Sequence, residues 1–146
     1  MPGAREYARM KVADVMTPEP LTVAPTDTVG QAEELMNTNR IRQLPVTQGN
    51  ELVGIVTDRD VRSFLSNTLL ASPEAREQAL NTEVREIMTT EPLTLSPDDE
   101  LLDALELFVE EKIGGVPVVD DVEGLVGIVT YWDLLRCFLD LIQEEE

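Results

Sequence analysis

Apolar residues along the chain fall into short runs that recur in one order. LPVT at 44–47 and VPVV at 116–119 are each followed, after a polar turn (QGNE or DDVEG), by LVGIVT at 52–57 and 125–130. These runs are apolar and rich in β-branched residues, as covered strands are, so each pair predicts two adjacent buried strands. Upstream lie PLTVAP at 20–25 and PLTLSP at 92–97, where apolar residues alternate and prolines mark the boundaries, predicting an extended segment. A helix is predicted between that segment and the first buried strand. In the later copy Leu101, Leu105 and Phe108 fall on one helical face. Ser96 is the expected cap there, with Pro97 in the first turn and Asp98 and Asp99 at the positive end. A second helix opens at TDRD (57–60) or TYWD (130–133). The predicted order, twice over, is strand, helix, strand, strand, helix.

The recurrence holds residue by residue. An offset of 72 carries Val12 to Val84, Met16 to Met88, Thr22 to Thr94, Ile41 to Ile113 and Pro45 to Pro117. After one slip between Val46 and Leu52 the offset is 73, matching Gly54 to Gly127, Thr57 to Thr130 and Asp60 to Asp133. The chain is a tandem repeat of mixed α/β (α+β) class, with copies at 11–65 and 83–142 and a connecting segment at 66–82. PEAREQAL within that segment predicts a turn or two of surface helix. One copy is small enough to bury little apolar surface alone, so the copies are expected to pack on each other.

Composition narrows the function. With 42% hydrophobic residues the chain is set for a packed core. No run approaches the ~18 apolar residues of a membrane span, and the first residues carry no signal-peptide pattern, so a cytoplasmic protein without a membrane role is expected. Eleven basic residues face 29 acidic ones, a formal charge of −18. Such a surface repels a phosphate backbone at long range, which argues against nucleic acid as a partner. Only two lysines, Lys11 and Lys112, are present, a balance that also suits a salt-rich cytoplasm. Histidine is absent, removing the commonest general base and metal ligand. The single cysteine, Cys137, sits among Leu134, Leu135, Phe138 and Leu141 and reads as a small packing residue. No catalytic residue, metal ligand or required cofactor is expected.

The motif Thr-x-x-Asp closes LVGIVT in both copies, as Thr57/Asp60 and Thr130/Asp133. Two readings fit it. As a capping box, the hydroxyl and carboxylate each satisfy a free N–H at the start of a helix. As a binding site, the same helix N-terminus suits a phosphate, and the carboxylate suits ribose hydroxyls. Both hold in an empty protein.

The repeat DVMTPEPLTVAP…RIRQLPVT…LVGIVTDRD resembles the CBS domain, and the tandem pair resembles a Bateman module. The chain is also similar to small stand-alone CBS-pair proteins of the acetoin-utilisation type, whose first repeat carries a similar RIR-x-LPV…GIVTDRD. The resemblance implies two β-α-β-β-α units packed through their sheets in pseudo-twofold symmetry, with two clefts that take AMP, ADP, ATP, S-adenosylmethionine or NAD. It implies that Thr57 and Asp60 share one cleft with Thr94, Ile113, Gly114 and Gly115. It places Thr130 and Asp133 in the other with Thr22, Ile41, Arg42 and Gln43. Arg40, Arg42, Arg59 and Arg62 all lie in the first repeat, opposite Lys112, Gly114, Trp132 and Leu135 in the second. Arginine suits forked phosphate contacts. Arg42 and Arg59 are therefore expected to serve the Thr57/Asp60 cleft, and Trp132 to stack or gate at the other. A homodimer is also expected, through the terminal helix at Leu134, Leu135, Phe138, Leu141 and Ile142 and the earlier helix near Val61, Phe64 and Leu65. The function expected is an adenosyl-nucleotide sensor acting on a separate target protein; the alternative is a ligand-free interaction or scaffolding module.

Overall fold

The protein, as a computed structural model, is described for residues 6–7, 9–66, 68 and 72–144. Its elements are α1 (Val12–Val15), β1 (Thr17–Pro18), α2 (Val29–Asn39), β2 (Gln43–Gln48), β3 (Glu51–Thr57) and α3 (Asp58–Ser66). Then follow α4 (Pro73–Leu80), a 3-10 turn (Val84–Glu86), β4 (Thr89–Thr90), α5 (Leu101–Glu111), β5 (Gly115–Asp120), β6 (Gly124–Thr130) and α6 (Tyr131–Glu144). The chain divides into two compact units. One is Leu21–Pro92; the other joins the residues up to Pro20 with those from Leu93 onward.

The Leu21–Pro92 unit is built on a sheet of order β2-β3-β4, antiparallel throughout. The β2–β3 hairpin runs from Gln43↔Thr57 to Gln48↔Glu51, and Gly49, at φ 62, makes its turn. Val23, from the alternating PLTVAP segment, adds a single parallel bridge to Val46. Its N–H donates to Pro45 O (3.1 Å), and its carbonyl accepts from Thr47 N (2.9 Å). Helix α2 starts at a reciprocal capping box: Thr28 Oγ1 accepts from Gln31 N (3.1 Å), and Gln31 Oε1 accepts from Thr28 N (2.8 Å). The apolar faces of α2 and α3 (Val29, Ala32, Met36, Val61, Leu65) close on Leu44, Val46 and Val56 to form the core.

The other unit repeats the plan with order β1-β6-β5 and a core of Val12, Leu95, Leu101, Phe108, Val116, Val118, Val129 and Leu134. Its hairpin pairs Val119↔Leu125 and Asp120↔Gly124, leaving three residues in the turn where the first hairpin leaves Gly49 and Asn50. That extra residue is the slip in the repeat register. The amide groups of the turn are held by Asp120, whose carboxylate accepts from Val122 N (2.8 Å) and Glu123 N (3.1 Å). Those two bonds hold its pKa below the usual range.

Four expectations change. The segments 20–25 and 92–97 do not form full strands: each contributes one bridge, Val23↔Val46 and Leu95↔Val118. The lead strands are instead Thr17–Pro18 and Thr89–Thr90, and each joins the hairpin of the opposite copy, β1 on β6 and β4 on β3. Helix α5 begins at Leu101 rather than at Pro97, with Glu100 as cap and Asp103 accepting its N–H at 2.9 Å. Ser96 and Asp99 close a preceding turn, with Ser96 N donating to Asp99 Oδ2 at 2.8 Å. Finally, Leu134, Val61 and Leu65 are 5%, 2% and 4% exposed, so they are core residues and offer nothing to a partner.

Candidate functional site

Thr57 ends β3 and Asp60 lies in the first turn of α3. The capping geometry is present: Thr57 N donates to Asp60 Oδ2 (2.9 Å), and Asp60 N donates to Thr57 Oγ1 (3.1 Å). Among the described residues, no group donates to the remaining Asp60 oxygen, and the Thr57 hydroxyl proton has no acceptor. The segment entering β2 lies beside this motif, because Gln43 pairs with Thr57 and Asp58 N donates to Arg42 O (2.9 Å). Ile41, Arg42 and Gln43 thus abut the start of α3. Arg42 and Arg59 are exposed. Arg40, Arg42 and Arg62 line a pocket of about 390 Å³ with Ile41, Asp58 and Val61. Arg62 faces Asp58 at 3.8 Å, one helical turn away. Thr22, also exposed, lines a separate pocket of about 370 Å³ with Thr38 and Asn39.

The second copy has the same frame and a different hydrogen-bond state. Gly115 pairs with Thr130, and Tyr131 N donates to Gly114 O (3.3 Å), so Ile113, Gly114 and Gly115 abut the start of α6. Asp133, 3% exposed, is buried where Asp60 is only half-buried. Its Oδ2 accepts from Thr130 N (2.8 Å) and Thr130 Oγ1 (3.0 Å), and its Oδ1 accepts from Thr17 Oγ1 (2.7 Å). Arg136 stands 3.9 Å from Oδ1. The counterparts Thr89 and Asp60 share no such bond among the described residues. Trp132 is 69% exposed, and Thr94 is exposed as well. Nothing in the sequence singled out Thr17; its one signal is the recurring Met-Thr pair at 16–17 and 88–89.

Each unit by itself therefore gathers one Thr-x-x-Asp motif and one strand entry. Thr57, Asp60, Arg42 and Arg59 share a unit with Ile41, Gln43 and Thr22, which the resemblance divides between two clefts. Thr94, Ile113, Gly114 and Gly115 share theirs with Thr130, Asp133 and Trp132. Among the described residues, no three Cys, Asp or Glu side chains are grouped to hold a metal ion. No described helix is long and apolar enough to cross a membrane.

Two sheets built on a duplicated helix–hairpin–helix plan, each with a Thr-x-x-Asp helix start, define a tandem-repeat module of two three-stranded antiparallel sheets. The CBS domain model matches residues 12–67 and 84–140, and the chain belongs to that family. Uncharacterized protein MJ1225 of Methanocaldococcus jannaschii is 36% identical over 134 residues, 86% of this chain and 48% of that protein. This chain thus spans about half the length of that relative. Among solved structures, a Vibrio cholerae protein assigned to acetoin utilization (AcuB) superposes with TM-score 0.80 at 32% identity, covering 94% of this chain and 97% of that one. CBSX2 from Arabidopsis thaliana, crystallised in complex with AMP, gives TM-score 0.77 at 32% identity over 90% of this chain and 98% of its own.

Proposed function

We infer that this protein is a regulatory module, with repeats at 11–65 and 83–142, that binds an adenosyl nucleotide of the AMP/ATP class and signals to a separate protein. The observation that carries the reading is the state of Thr57 and Asp60. Among the described residues one Asp60 carboxylate oxygen and the Thr57 hydroxyl proton have no hydrogen-bond partner, at a helix N-terminus beside the backbone of Arg42, in a family with an AMP-bound relative. The remaining Asp60 oxygen accepts from ribose hydroxyls; the Thr57 hydroxyl and the positive end of α3 suit a phosphate. Arg42 and Arg59 supply the compensation that a phosphate needs on a chain of charge −18, each charge-assisted bond contributing about 1.5–3 kcal/mol. Ile41 and Gln43 flank Arg42 beside the start of α3, whereas Thr22 lies at a separate pocket of the same unit. Thr22, Thr94, Ile113, Gly114, Gly115 and Trp132 are assigned to ligand contact on the resemblance alone. No step of catalysis is assigned, and no cofactor is required.

Calorimetric titration with AMP, ADP, ATP, S-adenosylmethionine and NAD tests the reading. Saturable binding of AMP is expected, weakened at least tenfold by Asp60→Ala. Arg42→Ala should weaken AMP more than adenosine. No heat from any of the five ligands, and no thermal shift with them, would return the motifs to helix capping alone. That second reading has its own support, since both Thr-x-x-Asp pairs do cap their helices.

A further inference from the structure

Asp60 and Asp133 occupy matching places in the repeat and do not have matching hydrogen bonds. A carboxylate offers about four lone-pair sites. In Asp133 three are filled by Thr130 N, Thr130 Oγ1 and Thr17 Oγ1, and the Arg136 guanidinium faces Oδ1 from 3.9 Å. The Thr130 hydroxyl has spent its only proton on Asp133, whereas the Thr57 hydroxyl donates to no acceptor among the described residues. The Asp133 side chain is also 1% exposed, which leaves no face for two sugar hydroxyls. Burying a carboxylate is costly unless it is bonded, so these bonds hold the charge in place and are expensive to exchange for a ligand's.

Thr17 is the residue that makes the difference. It belongs to β1, which pairs with β6, and its bond to Asp133 links positions 116 residues apart. The second carboxylate thereby fastens the lead segment to the start of α6. We propose that Thr130/Asp133 is a clasp closed by Thr17 rather than a ribose acceptor, so that one chain takes one adenosyl ligand, at Asp60. This rests on the nucleotide-binding reading above for its stoichiometry, and on the geometry of Thr17, Thr130 and Asp133 for the clasp.

The test has two arms on the full chain. Thermal melting without ligand examines the clasp: Thr17→Val and Asp133→Asn should each lower Tm by several degrees, and the double variant should fall no further than the larger single one. The matched pair Thr89→Val and Asp60→Asn should add independently and change Tm by a degree or less each. Titration with AMP examines the stoichiometry: one AMP per chain is expected, lost in Asp60→Ala and kept with unchanged Kd in Asp133→Asn. Additive melting shifts for Thr17 and Asp133, or a bound AMP that disappears in Asp133→Asn, would overturn the proposal. If no AMP binds the unaltered protein, the nucleotide reading fails, while the melting arm still decides the clasp.

Discussion

At the scale of single residues, the tightest constraint falls on Gly54 and Gly127. A Cβ on Gly54 would stand 2.7 Å from Met88 Sδ and 2.8 Å from Thr89 O; on Gly127 it would meet the Met16 side chain, with Thr17 O at 3.0 Å. The backbone of the lead strand presses on the hairpin at both places, and a backbone oxygen cannot swing aside as a thioether can. Gly54→Ala should therefore cost about 1–3 kcal/mol, as overpacking does, read as a lower urea midpoint at unchanged m. Cys137, half-buried against its unit's core, has its thiol pKa raised by burial and by the nearby Asp140 carboxylate. A raised thiol pKa means less thiolate at any given pH. Alkylation by iodoacetamide at pH 8 should run slower than for free cysteine and approach it only in urea. The Thr57 and Asp60 pair was legible in the sequence because a capping box is local, its two partners only three positions apart. The Thr17–Asp133 bond was not, because no spacing rule reaches across 116 positions.

Elements were legible to the degree that their cause is short-ranged. Helix α2 starts at the local Thr28–Gln31 box, which was not singled out in the sequence, and Thr28→Ala should cost about 1 kcal/mol, measurable in the same urea titration. For α5 the capping expectation misplaced the start, because Ser96 and Asp99 close a turn with bonds that look in sequence like a cap. Alternation at 20–25 signalled a strand where only Val23 makes a bridge, because alternation cannot name a partner strand. Helix α6 carries the clearest unmatched element. Tyr131, Leu135, Phe138, Leu139 and Ile142 are exposed at 36% or more and recur at helical spacing. An apolar stripe of this kind is what an interaction face looks like. The homodimer expected from the sequence should use this stripe rather than Leu134, Val61 or Leu65. Sedimentation should give a dimer at tens of micromolar, a concentration set by roughly micromolar affinity, and the Leu135→Glu, Ile142→Glu double variant should sediment as a monomer.

For the molecule as a whole, charge sets the response to solvent. With 29 acidic and 11 basic residues, self-repulsion opposes the compact state and falls as salt shortens the screening length. Tm should rise between roughly 0.05 M and roughly 1 M potassium chloride, where the Debye length contracts to about 3 Å; a flat profile would show that the acidic side chains are too far apart to matter. The crossed lead strands described above also carry a temporal meaning. During synthesis the Leu21–Pro92 unit is complete as an unbroken stretch once Pro92 has left the ribosome, whereas residues 12–20 must wait, unpaired, for the hairpin at 115–130 to be made. Residues 12–20, made before that unit, are thus among the last to dock, a long-range closure of the kind that slows folding. A circular permutant opening at Leu21 and carrying residues 1–20 after residue 146 would make both units sequential, and refolding should then be faster with little change in equilibrium stability.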